Sequence, residues 1–116
     1  MKAFNEFRTW ALVTGAASGM GRIYSQQLAQ RGYNIIMVDI NATGLQETES
    51  LVKAEVESAR TLAIVQDLSV ADAAEKIFAA TEAAGCDVEV LVNNAGVMYC
   101  QGIAATSERM LNIILM

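Results

Sequence analysis

The chain has 116 residues, 53% of them hydrophobic and 18% charged, which is one domain's worth of sequence and excludes a disordered tail or linker. With 13 acidic residues against 8 basic ones it carries −5, so it is a poor partner for nucleic acid, and the absence of histidine excludes a Ser-His-Asp triad or a His-containing zinc site within the chain. Cys86 and Cys100 are too few for a disulfide framework, Glu6 and Arg8 interrupt the place of a signal peptide's apolar region, and no run reaches the roughly 20 apolar residues of a membrane span, so the expected setting is cytoplasmic and away from membranes.

Four short runs rich in Val, Ile and Leu read as strands covered on both faces: Trp10 to Val13, Asn34 to Val38, Thr61 to Val65 and Val88 to Val92. Stretches of helical period separate them. In the first, Met20, Ile23, Tyr24 and Leu28 recur at three-or-four spacing and Gly32 closes the helix. Leu45, Thr48, Val52, Val56 and Ala59 predict the buried stripe of the second helix. For the third, Ser69 and Asp72 have the spacing of a capping box, Val70, Ala73, Ala74, Ile77 and Phe78 form the face, and Gly85 ends it.

At the end of the chain, Thr106 or Ser107 is positioned to cap a fourth helix carrying the apolar Met110, Leu111, Ile113, Ile114, Leu115 and Met116, too short to stand alone. With nothing following, the outer edge of the fourth strand is expected to be open, the fold to be incomplete, and the chain to self-associate. Alternating strands and helices imply right-handed crossovers and a parallel sheet. The expected fold class is therefore α/β: a Rossmann-like three-layer α/β/α domain over residues 1–116, with strand order 3-2-1-4 and the remainder of the doubly wound sheet missing.

The chemistry sits at the strand ends. Thr14-Gly15-Ala16-Ala17-Ser18-Gly19-Met20-Gly21 joins the first strand to the first helix, where glycines let the backbone approach a pyrophosphate lying on the helix N-terminus. A glycine triplet alone can mark any tight turn, but here a carboxylate, Asp39, ends the second strand roughly 20 residues on, at the spacing of a ribose ligand. Asp39 would accept hydrogen bonds from both ribose hydroxyls and repel the extra phosphate of NADP, and neither Ser18 nor Ile40 offers a cation for that phosphate. The implied cofactor is NAD. Arg22 keeps NADP as the lesser alternative.

The turn at Thr14 to Gly21 resembles the Thr-Gly-x-x-x-Gly-x-Gly signature of the short-chain dehydrogenase/reductase family, and Asn93-Asn94-Ala95-Gly96 after the fourth strand resembles its second signature. Asp67-Leu68 after the third strand is similar to the family's Asp-hydrophobic pair, which the resemblance places near the adenine. The resemblance runs from Trp10 to Met116 and covers the first half of such an enzyme. It implies hydride transfer between a nicotinamide cofactor and an alcohol or carbonyl substrate, with Gly15, Ser18, Gly19, Met20, Gly21, Asp39, Ile40, Asp67, Leu68, Asn94, Ala95 and Gly96 at the cofactor. Read physically, the asparagines face the glycine turn across the crevice where the winding reverses, and the small residues beside them leave room for a ribose. Turn chemistry ending a strand is the plainer reading of the same residues.

The family's catalytic Tyr-x-x-x-Lys pair is absent from the chain: the tyrosines are Tyr24, Tyr33 and Tyr99, followed four positions later by Leu28, Met37 and Ile103. A tyrosine with no neighbouring cation keeps a pKa near 10 and cannot exchange protons efficiently near neutral pH. No catalytic or metal-ligating residue is assigned, and the chain by itself is expected to be inactive. Cys86 and Cys100 read as inert thiols. The competing reading is a stand-alone dinucleotide-binding or redox-sensing module that acts through a protein partner, with the apolar tail as its interface.

Overall fold

The structure, a computed structural model, describes residues 9–95 and the backbone of residues 112–115. In chain order these form β1 (Trp10–Thr14), α1 (Gly19–Gln30), β2 (Asn34–Asp39), α2 (Ala42–Glu55), β3 (Thr61–Val65), α3 (Ala73–Ala83), β4 (Val88–Asn93) and β5 (Asn112–Leu115). All neighbouring strands pair in parallel, in the order β3-β2-β1-β4-β5. The first four strands stand where the apolar runs put them.

β1, β2 and β4 are largely buried on both faces, which is why they read as apolar runs, whereas β3, at the sheet's edge and expected to be covered likewise, is only partly buried, with Val65 56% exposed. Successive side chains of a strand point to opposite faces. Ala11, Val13, Ile35, Met37, Val90 and Val92 therefore pack on one side with Ala29 of α1 and Leu45 and Val52 of α2. Trp10, Leu12, Ile36, Val38 and Leu91 pack on the other with Ile77 of α3. The chain winds outward from β1 through β2 to β3, then returns to place β4 on β1's other side. The carboxyl ends of β1 and β4 consequently flank the point where the winding reverses, the place such sheets keep for a ligand.

The register of α1 differs from its sequence reading. Met20 and Ile23 are 53% and 44% exposed, and the residues against the sheet are Gly21, Ser25 and Ala29, flanked by the half-buried Tyr24 and Leu28. The helix lies too close to the β1 turn for large side chains. A Cβ on Gly21 would stand 1.9 Å from the Gly15 carbonyl oxygen. Ser25 satisfies its buried hydroxyl by donating to the Gly21 carbonyl at 2.8 Å. Arg31 caps the helix and Gly32, at φ +103°, turns the chain out of it.

In α2, Asn41 is the N-cap, accepting from the Gly44 N–H at 3.0 Å, and Gly44, Leu45, Thr48 and Val52 are buried. Ala59 is buried as expected but lies in the loop beyond the helix.

Two further expectations are corrected. Ser69 and Asp72 make no capping box: Asp72 is the N-cap of α3 without a side-chain bond, while Ser69 donates both its N–H and its hydroxyl to Asp67 Oδ1. The nearer carboxylate wins the serine. At the end of the chain, residues 112–115 are a strand instead of part of a fourth helix, paired Val90↔Asn112 to Asn93↔Leu115 along the edge of β4. That edge offers a row of unpaired backbone groups, and a run containing two isoleucines is well suited to fill it. The edge expected to drive self-association is thus taken by the chain itself. Thr106, Ser107 and Met110 lie outside the described residues. No described helix is long and apolar enough to cross a membrane.

Close approach at Gly21 and the unused cap at Ser18 give opposite expectations. Gly21→Ala should lower stability by about 2 to 3 kcal/mol in denaturant unfolding, as overpacking of a tight contact does. Ser18→Ala should be neutral within about 0.5 kcal/mol, because the Ser18 side chain makes no cap bond to lose. The reverse ranking would contradict this packing.

Candidate functional site

The four strands from β1 to β4 deliver their carboxyl ends to one cleft. It has a volume of about 220 Å³ and is lined by Gly15 after β1, Asp39 and Ile40 at the end of β2, Gln66 to Ser69 after β3 and Ala95 after β4. Of the residues singled out in the sequence, Gly15, Asp39, Ile40, Asp67, Leu68 and Ala95 are therefore neighbours in space, whereas Ser18, Gly19, Met20, Gly21 and Asn94 are not among those lining the cleft.

The β1 turn is built so that its backbone stays bare on one side. Gly15 has φ +67°, and a Cβ there would lie 2.9 Å from Asn94 Nδ2 and 3.3 Å from the Ala95 nitrogen. Only glycine lets the two strand ends come so close. Ala16 donates its N–H to the Val38 carbonyl at 3.2 Å, and Ala17 donates to Asp39 Oδ2 at 3.0 Å. The N–H groups of Ser18, Gly19 and Met20, by contrast, meet no acceptor among the described residues. Ser18 is an extended N-cap, and its exposed side chain leaves those donors uncapped. Three donors at the positive end of a helix dipole can hold an anion.

Asp39 is half-buried, with Oδ2 on the Ala17 N–H and Oδ1 accepting from the Asn41 N–H at 3.0 Å. These two bonds fix the carboxylate's orientation and leave lone pairs on both oxygens for hydroxyl donors. Ile40, 65% exposed, shields one side of the cleft mouth. Asp67, fully exposed, accepts two bonds from Ser69, the hydroxyl at 2.7 Å and the N–H at 2.9 Å. The serine hydroxyl, then its N–H, hold the Asp67 carboxyl below the usual carboxylate range.

On the β4 side, Thr14 Oγ1 donates to Asn93 Oδ1 at 2.9 Å and accepts from the Ala95 N–H at 3.2 Å, while Asn94 Nδ2 donates to the Gly15 carbonyl at 3.4 Å. Thr14 and Asn93 are buried. The paired asparagines thus tie the end of β4 to the end of β1 through bonds between residues far apart in sequence. Gly96 and Cys100 lie outside the described residues. Cys86 is buried, which pushes its thiol up against a smaller opposing pull from Arg60, as expected of an inert thiol.

Sequence reasoning missed three contributors. Thr14 was part of the quoted motif, but its hydroxyl had no role. Gln66 lines the cleft immediately before Asp67. Arg22, weighed only as a cation for a second phosphate, is committed elsewhere: its Nε donates to Thr48 Oγ1 at 2.9 Å and its Nη2 to the carbonyls of Ala17 at 2.6 Å and Gly44 at 3.3 Å, with Glu47 at 3.5 Å. Its position directly after the last glycine was the available signal.

Comparison with known proteins agrees with this geometry. Residues 9–114 match the family profile described as short chain dehydrogenase. The very-long-chain 3-oxoacyl-CoA reductase of Rattus norvegicus is 37% identical over 90 residues, covering 78% of this chain and 28% of that protein. Among solved structures, acetoin dehydrogenase from Enterobacter cloacae superposes with a TM-score of 0.69 at 34% identity, covering 80% of this chain and 36% of that one. Carveol dehydrogenase from Mycobacterium avium, solved in complex with NAD, superposes with a TM-score of 0.66 at 30% identity, covering 77% and 36%. The matched part of the chain spans between a quarter and little more than a third of these proteins' lengths, less than the half expected from the sequence.

The Asp67 bonds can be tested by titration. Because its folded-state pKa is depressed, Asp67 favours the fold above the ordinary carboxylate pKa, and that contribution fades as pH falls through the lowered one. Ser69→Ala, which removes the hydroxyl and keeps the N–H bond, should move the titration midpoint of the Asp67 carboxyl in NMR up toward the ordinary carboxylate range; an unchanged midpoint would show that the hydroxyl is not the main cause.

Proposed function

The chain belongs to the short-chain dehydrogenase family, and we propose that it forms the cofactor-holding part of an NAD-dependent oxidoreductase that transfers a hydride between the nicotinamide and an alcohol or carbonyl substrate. The observation that carries this reading is the convergence of the four strand ends from β1 to β4 on one cleft, beside a helix start with uncapped amides. A dinucleotide needs that combination: donors for a diphosphate, a carboxylate for a sugar and a shielded slot for a base.

The residues present fit the group. Gly15, Ser18, Gly19, Met20 and Gly21 would hold the diphosphate, with Gly21 letting the helix start close enough to do so. Asp39 would accept from the adenosine ribose hydroxyls, with Ile40 beside the sugar. Asp67 and Leu68 would receive the adenine, with Asp67 Oδ2, which Ser69 does not occupy, available as an acceptor for its amino group. Asn94, Ala95 and Gly96 would adjoin the second ribose. When bound, the nicotinamide supplies or accepts the hydride. The chain's own residues orient it, and this sequence has no Tyr-x-x-x-Lys pair to exchange the proton.

Two features support NAD over NADP. The Asp39 carboxylate repels a 2′-phosphate, and the cation that could have attracted one, Arg22, spends its donors on Thr48, Ala17 and Gly44. Isothermal titration should find NAD bound at least about tenfold more tightly than NADP. Asp39→Asn should weaken NAD by about tenfold, the scale of a hydrogen bond to a charged group, and narrow the gap between the two cofactors. Equal affinities in the unaltered chain, or an unchanged NAD affinity in the variant, would contradict the reading.

A further inference from the structure

We propose that Arg22 is a positioning residue that aims the Ser18 amide at a bound diphosphate, acting through the planar shape of its guanidinium as well as its charge. This rests on the dinucleotide reading above. The argument starts from the geometry of a trans peptide, in which the carbonyl and the following N–H point in opposite directions. Whatever holds the Ala17 carbonyl therefore sets the direction of the Ser18 N–H.

The Ala17 carbonyl is held by Arg22 Nη2 at 2.6 Å. The same nitrogen reaches the Gly44 carbonyl at 3.3 Å, and Nε donates to Thr48 Oγ1 at 2.9 Å, so two nitrogens of one planar group are fixed by three acceptors. Thr48 is fully buried. Its hydroxyl lies 2.7 Å from the Ala16 carbonyl, whose peptide carries the Ala17 N–H that bonds Asp39 Oδ2 at 3.0 Å. Arg22 and Thr48 thus govern two consecutive peptides. The first is set with its N–H on the ribose carboxylate, the second with its N–H toward the helix start, where no protein acceptor among the described residues meets it.

The surroundings leave the turn little freedom to reorient unless this clamp is broken. A Cβ on Gly44 would lie 2.7 Å from the Ala17 Cβ and 2.8 Å from the Ala17 carbonyl oxygen, so α2 is pressed directly against the turn. The Arg22 side chain is 25% exposed, and its pairing with Glu47 at 3.5 Å involves a carboxylate 61% exposed. Such a pair is screened by solvent and contributes little. The orienting contacts are the inner ones. A lysine at position 22 would keep the charge but lacks the fork that reaches Thr48 and Ala17 together.

The full chain would be titrated with ADP and with adenosine, comparing the unaltered protein with Arg22→Lys and Arg22→Met. Expected is a loss of about tenfold in ADP affinity for both variants, the scale of one charge-assisted hydrogen bond, with adenosine affinity unchanged. Full retention of ADP affinity in Arg22→Lys would overturn the role of the fork and leave only charge. Equal losses for ADP and adenosine would indicate general loosening and overturn it as well. Should the variants fail to fold, the unaltered chain decides: in an amide NMR titration with ADP the Ser18 resonance should move among the most, and a Ser18 amide that stays in place while ADP binds elsewhere refutes the proposal. If the unaltered chain binds neither ADP nor NAD, the dinucleotide reading itself fails, which is a different result from binding that Arg22 does not influence.

Discussion

The Gly15 carbonyl is the point on which this structure turns. It is wedged between the start of α1, where a Cβ on Gly21 would overlap it at 1.9 Å, and the Asn94 amide at 3.4 Å on the end of β4. No side chain fits between these elements. The contact sets how near α1 sits to the sheet, and that depth selects Gly21, Ser25 and Ala29 as its buried face. It also leaves the first-turn amides beside the crevice, because the residues before them are anchored to β2, to Asp39 and to α2. A helix docked farther away could carry larger residues inward, but its amides would no longer border the cleft.

The parallel sheet was legible in the sequence because strands buried on both faces are largely apolar, and Trp10 to Val13, Asn34 to Val38 and Val88 to Val92 are so but for Asn34 and Glu89. The winding followed from the alternation of period. What periodicity could not supply was depth. Met20 and Ile23 recur at helical spacing and are the larger apolar side chains, yet the sheet chose the smaller residues beside them, since close packing favours fit over hydrophobicity. Ser69 failed as a cap for an equally local reason, the Asp67 carboxylate lying two residues away. Residues 112–115 reversed from helix to strand through a partner, the edge of β4, that is distant in sequence.

The site was legible in its corners and not in its braces. Glycines, Asp39, Asp67 and the asparagines stand at strand ends, where sequence order alone predicts convergence. The bonds that orient them join residues far apart: Thr14 to Asn93, Arg22 to Thr48, Ala17 to Asp39. Each joins groups of ordinary type, two pairs of side chains and one backbone N–H with a carboxylate, whose importance lies in what they reach, and a single sequence carries no record of reach. The division is physical. Residues that face a ligand must have a particular chemistry, whereas those that hold them need only a compatible length and a donor.

The most direct test of the account is a crystal structure of the chain with NAD. The diphosphate should rest on the amides of Ser18, Gly19 and Met20, with the adenosine ribose hydroxyls on the Asp39 carboxylate and the adenine between Ile40 and Leu68. A dinucleotide bound away from the β1 turn, or one whose adenosine ribose lies out of reach of Asp39, would contradict it.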